Sequence, residues 1–421
     1  MKTLLLMICA ASATMTACAH ANALQAPPIR PIGRILRISE PNRLGSVTAV
    51  RALPNGRVIV NDIVRRQLVL FDSTLSDATI VLDSAKLTGG TFGAQVGGMI
   101  AYKCDSTIFV DPSTLAMLVV DSRGKVARAM AAPRAEDVAF LAGGPFGTPA
   151  FDLAGRLVYR GMARPIQAKA DASSNPLPFQ LPEQPDSAPI VRFDFATRKT
   201  DTLGLFKTTK SVTKISRTED GAMSITLTIN PMQTLDDWAL LSDGSLAIVR
   251  GRDYHIDWVS PDGVVTTTPK MPFAWRRMSD ADKRAVLDSA RIAVDRDLAA
   301  TKTRLASGSG DSDRPGGGTS ARPGSPAVPV INLVSEEELP EYRPAFLAGA
   351  ARADLDGRLW IRTTDAADGP VYDVINRQGE IVDRVRLPRG RVISGFGAHA
   401  TVFMGVLDAA GGARIEEASL R

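Results

Sequence analysis

A tight turn that recurs six times, each time flanked by short apolar runs, most constrains what this chain can become. The turns are Asn55-Gly56, Asp105-Ser106, Ala154-Gly155, Asp243-Gly244, Asp356-Gly357 and the pair His399-Ala400, so they recur after 50, 49, 89, 113 and 43 residues. Asn-Gly or Asp-Gly between β-rich runs signals a hairpin, and its favoured two-residue turn needs φ > 0 at both central positions. A period of about 40 to 50 residues with about four strands per unit is the signature of a β-propeller. The fold class expected is therefore all-β, a six-bladed propeller.

Units one to five each end in a fourth strand-like run, at 78–82, 125–130, 200–205, 264–269 and 380–387, whereas unit six ends after its third. Near the start, GRILRISEP (33–41) parallels EIVDRVRLP (380–388). The N-terminal strand 33–39 is thus expected to complete the last blade and to remove an open sheet edge. The two long intervals hold insertions. Residues 164–189 are rich in Pro, Ala, Ser and Gln and read as a loop, and 207–229 read as an extended hairpin. In the 274–330 insertion, Ser279 is a candidate N-cap with Asp282 three residues on, and an apolar stripe predicts a helix over 281–305. Residues 307–329 have linker composition and are expected to be disordered. Such a helix either covers one face of the ring as a lid or packs on a blade edge.

The first residues read as an export signal: Lys2, an apolar run from Leu4 to Ile8, then small residues. Met15-Thr16-Ala17-Cys18 resembles a bacterial lipobox, which implies cleavage after residue 17 and acylation of Cys18. Cleavage after Ala21 or Ala23 is the alternative. The domain plan is a signal peptide at 1–17, a tether at 18–32 and a propeller at 33–421. Of three cysteines only Cys104 lies in the propeller, so no internal disulfide is available. The chain is 44% hydrophobic and 23% charged with a net charge of +5, and no basic run is interleaved with aromatics, which argues against nucleic acid as a partner.

Catalytic motifs are missing from the sequence. His255 and His399 lack companions at metal-ligand spacing, and zincin, P-loop, G-x-S-x-G and EF-hand patterns are absent. Gly395-Phe396-Gly397 with Ala400 has a dinucleotide-like spacing, but strand residues follow it where a helix N-terminus is required. No cofactor, metal or catalytic residue is assigned. Residues that enter first strands are expected to face the central channel. This makes Phe92, Gln95, Phe146, Asp236, Asp237, Trp238, Arg343, Phe346 and Phe396 a candidate binding ring at its mouth. The other reading is that these side chains plug the axis.

The fourth and fifth units, DDWALLSDGSLAIVRGRDYHIDWVSPDG and ARADLDGRLWIRTTDAADGPVYDVINRQGEIVDRVRLP, resemble those of bacterial exported six-bladed propellers of the TolB-like and NHL-like kind. The resemblance specifies blades and not chemistry. A complete propeller without a catalytic constellation, behind a lipobox-like start, is expected to be a monomeric, lipid-anchored, periplasm-facing or surface protein that binds a protein, peptide or glycan without catalysis and meets the membrane only through its anchor. The alternative it carries is a metal-dependent hydrolase or lyase, as in the propeller lactonases and streptogramin lyase. That chemistry would require carboxylates such as Glu136, Asp236 and Asp354 to converge on the axis.

Overall fold

The second strands of the first two blades, Val58–Asp62 and Thr107–Asp111, are buried at every position, on both faces. A strand apolar on both sides must lie between two layers, and here the layers are neighbouring blades. The computed structural model describes residues 26–83, 97–163, 185–209, 212–217, 223–308, 330–365, 367–407 and 412–421.

Five antiparallel sheets follow the chain in order. Blade 1 comprises Ala49–Ala52, Val58–Asp62, Gln67–Phe71 and Ala78–Asp83; blade 2 comprises Gly98–Ala101, Thr107–Asp111, Ala116–Val120 and Val126–Ala131. Blade 3 is Ala150–Phe151, Leu157–Arg160, Ser187–Phe193 and Thr200–Lys207, and blade 4 is Asp237–Leu240, Leu246–Arg250, His255–Val259 and Val265–Thr267. Blade 5 contains Phe346–Ala353, Leu359–Thr363, Val371–Ile375 and Ile381–Arg386. Blade 6 has only three strands from the C-terminus, Arg391–Gly397, Thr401–Leu407 and Ala413–Ser419.

Its fourth comes from the start of the chain. Ile35–Ile38 pairs antiparallel with Ala413–Ser419, with Arg37 opposite Glu417 and the two side chains ion-paired. The six-bladed propeller and its N-terminal closing strand are as the turn spacing predicts. One element was not expected: Ile29–Pro31, within the stretch read as a tether, lies parallel to Ile381–Arg386 on the outer edge of blade 5. Arg30 bridges the two last blades, donating to Asp383 and to the carbonyl of Leu420 (2.7 Å). Pro31 is tolerated because an edge strand leaves one side of its backbone unpaired.

The core is divided among the seams. Six apolar clusters each join two neighbouring blades. They run from Leu53, Ile59 and Phe109 between blades 1 and 2 to Val47, Val60, Phe403 and Ile415 between blades 6 and 1. Val58 and Val60 face one seam while Ile59 faces the other, as a period of two requires.

The turns differ from the two-residue form. At Gly56, Gly155, Gly244 and Gly357 only the glycine has positive φ, between 76° and 81°, and its N–H closes a turn on the carbonyl three residues back. These are type I turns with a glycine bulge, a three-residue loop. The preceding Asp or Asn holds the loop: Asp354 accepts from the N–H groups of Asp356 and Arg358 and from Trp360 Nε1 (2.8 Å). The mirror-image turn occurs in blade 2, where Cys104 and Asp105 both have positive φ, at 53° and 59°.

The insertion after blade 3 is an antiparallel hairpin, Val212–Arg217 with Met223–Ile229, joined in parallel by Val330–Leu333. Helix Asp280–Gly308 begins at the Ser279 cap, whose Oγ accepts from Asp282 N–H while its own N–H reaches the Asp282 carboxylate (3.0 Å). Its first turns pack Val286 and Leu287 against Met232, Met278, Leu339 and Val334, a small core of the insertion segments themselves. The linker expectation for 307–329 falls, from 309 on, outside the described residues.

Candidate functional site

The chain enters each blade's first strand at one end of the ring, and most of the predicted channel residues were placed there. Phe92, Gln95 and Cys18 lie outside the described residues. The others have distinct fates. Trp238 is fully buried in the seam between blades 3 and 4, where its Nε1 donates to the carbonyl of Phe146 (3.0 Å). Phe346 is buried between blades 4 and 5 beside Tyr254. Phe396 sits at the far end of its strand, near the turn, and packs on Trp360 with ring centroids 5.3 Å apart. A strand's start does not reveal which face points at the axis, and large apolar rings go to the seams because the gain from burial is greatest there.

Of the short 3₁₀ segments that lead into blade 3, Ala135–Ala142 packs Val138 and Leu141 into the seam between blades 2 and 3, while Gly144–Phe146 reaches blade 5. Gly147 lies against the Trp238 ring, and the Gly144 carbonyl and Pro145 lie against Gly349 of blade 5. Phe146 meets Phe140 edge-to-face at 5.2 Å, and the guanidinium of Arg160 stands 4.4 Å from one ring and 5.0 Å from the other. Burial lowers the pKa of Arg160, and its Nε has no hydrogen-bond partner.

The carboxylates at this end are committed to structure. Asp236 accepts from Arg250 (2.7 Å) and from the N–H groups of Gly251 and Lys207. Asp137 is fully buried and accepts from Tyr159 Oη (3.1 Å), Met162 N–H (2.7 Å) and Arg134. Asp237 is 2% exposed and spans two first strands, accepting from its own strand at Trp238 N–H (2.8 Å) and from blade 5 at Ala351 N–H (2.9 Å). Burial pushes its carboxyl up to about 6, against the pull of those N–H groups. Glu136 is exposed, and Asp354 lies in the turn at the opposite end of blade 5. Glu136, Asp236 and Asp354 therefore do not converge. Among the described residues no three His, Cys, Asp or Glu side chains gather as metal ligands. His255 is a hydrogen-bonded strand residue, its Nδ1 2.6 Å from Asp253.

Arg343, of the predicted residues, lines an open cavity. The first strand of blade 5 is irregular: Phe346 pairs with Thr363 and Ala351 with Ile361, and the intervening residues bulge away from the ladder. Gly349 supports the bulge with φ of 75°. A cleft of about 350 Å³ opens between the bulge and the end of the second strand, lined by Leu347–Ala350, Arg362–Thr364, Met232 and Arg343. Arg343 is held by the bridge between Arg277 and Tyr342, its N–H donating to the Arg276 carbonyl (2.9 Å). Its Nε is buried without a partner, and Nη1 reaches only the Thr364 carbonyl, at 3.4 Å. Sequence reasoning missed Arg362, which reads as an ordinary outward strand arginine, and it missed the bulge, for which Gly349 is the sole signal.

No protein-family model and no curated protein matches the sequence. Solved structures that resemble the chain include a gluconolactonase from Xanthomonas campestris (11% identity, 94% of this chain and 98% of that one, TM-score 0.41). A calcium-binding protein, regucalcin, from Agrobacterium tumefaciens C58 aligns at 11% identity over 94% and 97% with a TM-score of 0.42. Virginiamycin B lyase from Staphylococcus aureus aligns at 11% identity over 92% and 88% with a TM-score of 0.36. These are similarities in the course of the chain, and the six-bladed propeller itself stands on the strand pairing described above.

Proposed function

We propose that this chain is an exported propeller, tethered at the cell envelope through Cys18, that serves as a monomeric, non-catalytic binding module. The cleft in blade 5 carries this reading. It joins apolar walls to arginine side chains whose hydrogen-bonding capacity the protein leaves largely unused, while Asp137, Asp236 and Asp237 are spent on holding the fold. A surface so arranged recognises a ligand and offers no general base or nucleophile to transform it. The ligand is a peptide, protein or glycan met on the envelope side of the membrane.

Two measurements test the reading. Fractionation of cells that express the full chain should place it with membranes, and Cys18→Ala should release it; a variant that stays membrane-bound removes the tether. The mature protein on peptide and glycan arrays should retain a defined ligand and lose it in Arg362→Ala. Metal-dependent turnover of lactone or ester substrates by that protein would overturn the non-catalytic reading.

A further inference from the structure

We infer that the blade 5 cleft is a subsite for a carboxylate borne on a small apolar group, such as the C-terminus of a peptide or a short aliphatic acid. The inference rests on the binding-module reading and names the chemistry that its site takes.

Charge is the first reason. Arg343 and Arg362 both line the cleft, and among the described residues neither makes an ion pair. Arg352 stands behind them on the same strand as the bulge, close enough to Arg362 for mutual repulsion. Of the acids beside this group, Asp237 has both oxygens engaged by backbone N–H groups, Asp282, whose charge reaches Arg343, is already engaged by Arg276 and Ser279, and Asp365 follows Thr364 in sequence but does not line the cleft. Three guanidinium groups beside two committed carboxylates leave a net positive concavity, and low-dielectric walls focus such a field.

The shape of the donors and walls narrows the class. Planar guanidinium groups match a carboxylate's two oxygens, each charge-assisted bond being stronger than a neutral one. Thr363 and Thr364 cannot add their hydroxyl protons, since these go to the carbonyls of Val371 (3.3 Å) and Pro344 (2.6 Å). The remaining walls, Met232, Leu347, Ala348 and Ala350, are apolar and would leave an inorganic anion poorly matched. An organic acid with an aliphatic body fits both halves.

Calorimetric titration of the mature protein with N-acetyl-Ala-Val, its C-terminal amide, valerate, valeramide and inorganic phosphate tests the inference. The free acids should bind, more weakly as salt is raised, and the amides should bind at least about tenfold more weakly. Arg362→Gln and Arg343→Gln should each weaken acid binding by a similar factor with unchanged circular dichroism, while Arg123→Gln, in a blade 2 turn, should not. Binding of the peptide acid alone identifies a peptide C-terminus as the source; comparable binding of valerate identifies a free acid. Equal binding of acids and amides, equal binding of phosphate, no binding of any probe, or indifference to both arginine variants overturns the carboxylate subsite. None of these four results touches the binding-module reading, which the arrays and turnover assays decide separately.

Discussion

The hydroxyl of Tyr254, from the loop before the third strand of blade 4, donates to the carboxylate of Asp373 in the third strand of blade 5 at 2.8 Å. Both side chains are buried, and Arg384 holds the second Asp373 oxygen at 2.9 Å. Burial raises the pKa of both groups, so the pair is a polar rivet in an apolar seam. Tyr254→Phe strips one partner from a buried carboxylate and is expected to cost about 1 to 3 kcal/mol in denaturant unfolding. A cost near zero would show that Arg384 alone satisfies Asp373.

Two glycines of positive φ differ in what a side chain would meet. Gly147 (φ 87°, ψ 178°) holds a conformation that is essentially glycine's alone, whereas Gly155 (φ 76°) turns a hairpin and a Cβ there meets nothing within 4 Å. At Gly147 it would stand 2.3 Å from the Trp238 ring. Gly155→Ala should cost about 1 kcal/mol, and Gly147→Ala about 2 kcal/mol more, with a shift in tryptophan emission. Equal melting temperatures would mean that the loop from Gly144 to Gly147 yields freely.

Asp237 makes stability depend on pH. Its folded carboxyl, near 6, lies above the ordinary unfolded value of about 3.9. Between those values the native state holds a proton that the unfolded chain has lost. Its stabilising effect is complete below about pH 4 and disappears as pH rises through about 6, a change on the order of 3 kcal/mol. Urea unfolding at stepped pH should show wild type losing about that much more than Asp237→Asn across this window. Parallel profiles would assign the dependence elsewhere.

Truncation at the N-terminus should divide into two regimes. Removing residues up to 32 deletes the parallel edge strand, the partly buried Ile32 and the contacts of Arg30 with Leu420 and Asp383, the last pair 37% and 29% exposed, and should cost about 1 to 2 kcal/mol. Removing residues up to 39 also deletes the closing strand of blade 6 and should cost above about 4 kcal/mol and expose an aggregating edge. Equal effects from the two truncations would deny the closing strand its role.

Several of these features were legible in the residues themselves. Gly56, Gly155, Gly244 and Gly357 marked the hairpins because no other residue occupies that conformation so cheaply, although the turn class differed from the two-residue form. The parallel between 33–41 and 380–388 exposed the ring closure, and Ser279 with Asp282 marked the helix start. The site was far less readable. Trp238 and Phe346 have the composition of a binding surface, yet only the twist of neighbouring blades decides that they face seams. The cleft depends on a slipped register between Phe346 and Ala351, which no local propensity encodes. Ile29–Pro31 was invisible as a strand because its partner lies more than 350 residues away and its proline suggests a spacer.

The closing strand also orders events in time. Arg37 and Glu417 are 380 positions apart, so the first strand waits for its partner until Ala413–Ser419 has been synthesised. Every partial chain carries an orphan strand at its front and, once blade 6 begins, an unfinished sheet at its rear. A contact of that sequence separation forms slowly. The nascent chain is thus kept from closing its ring until both ends of the propeller are present.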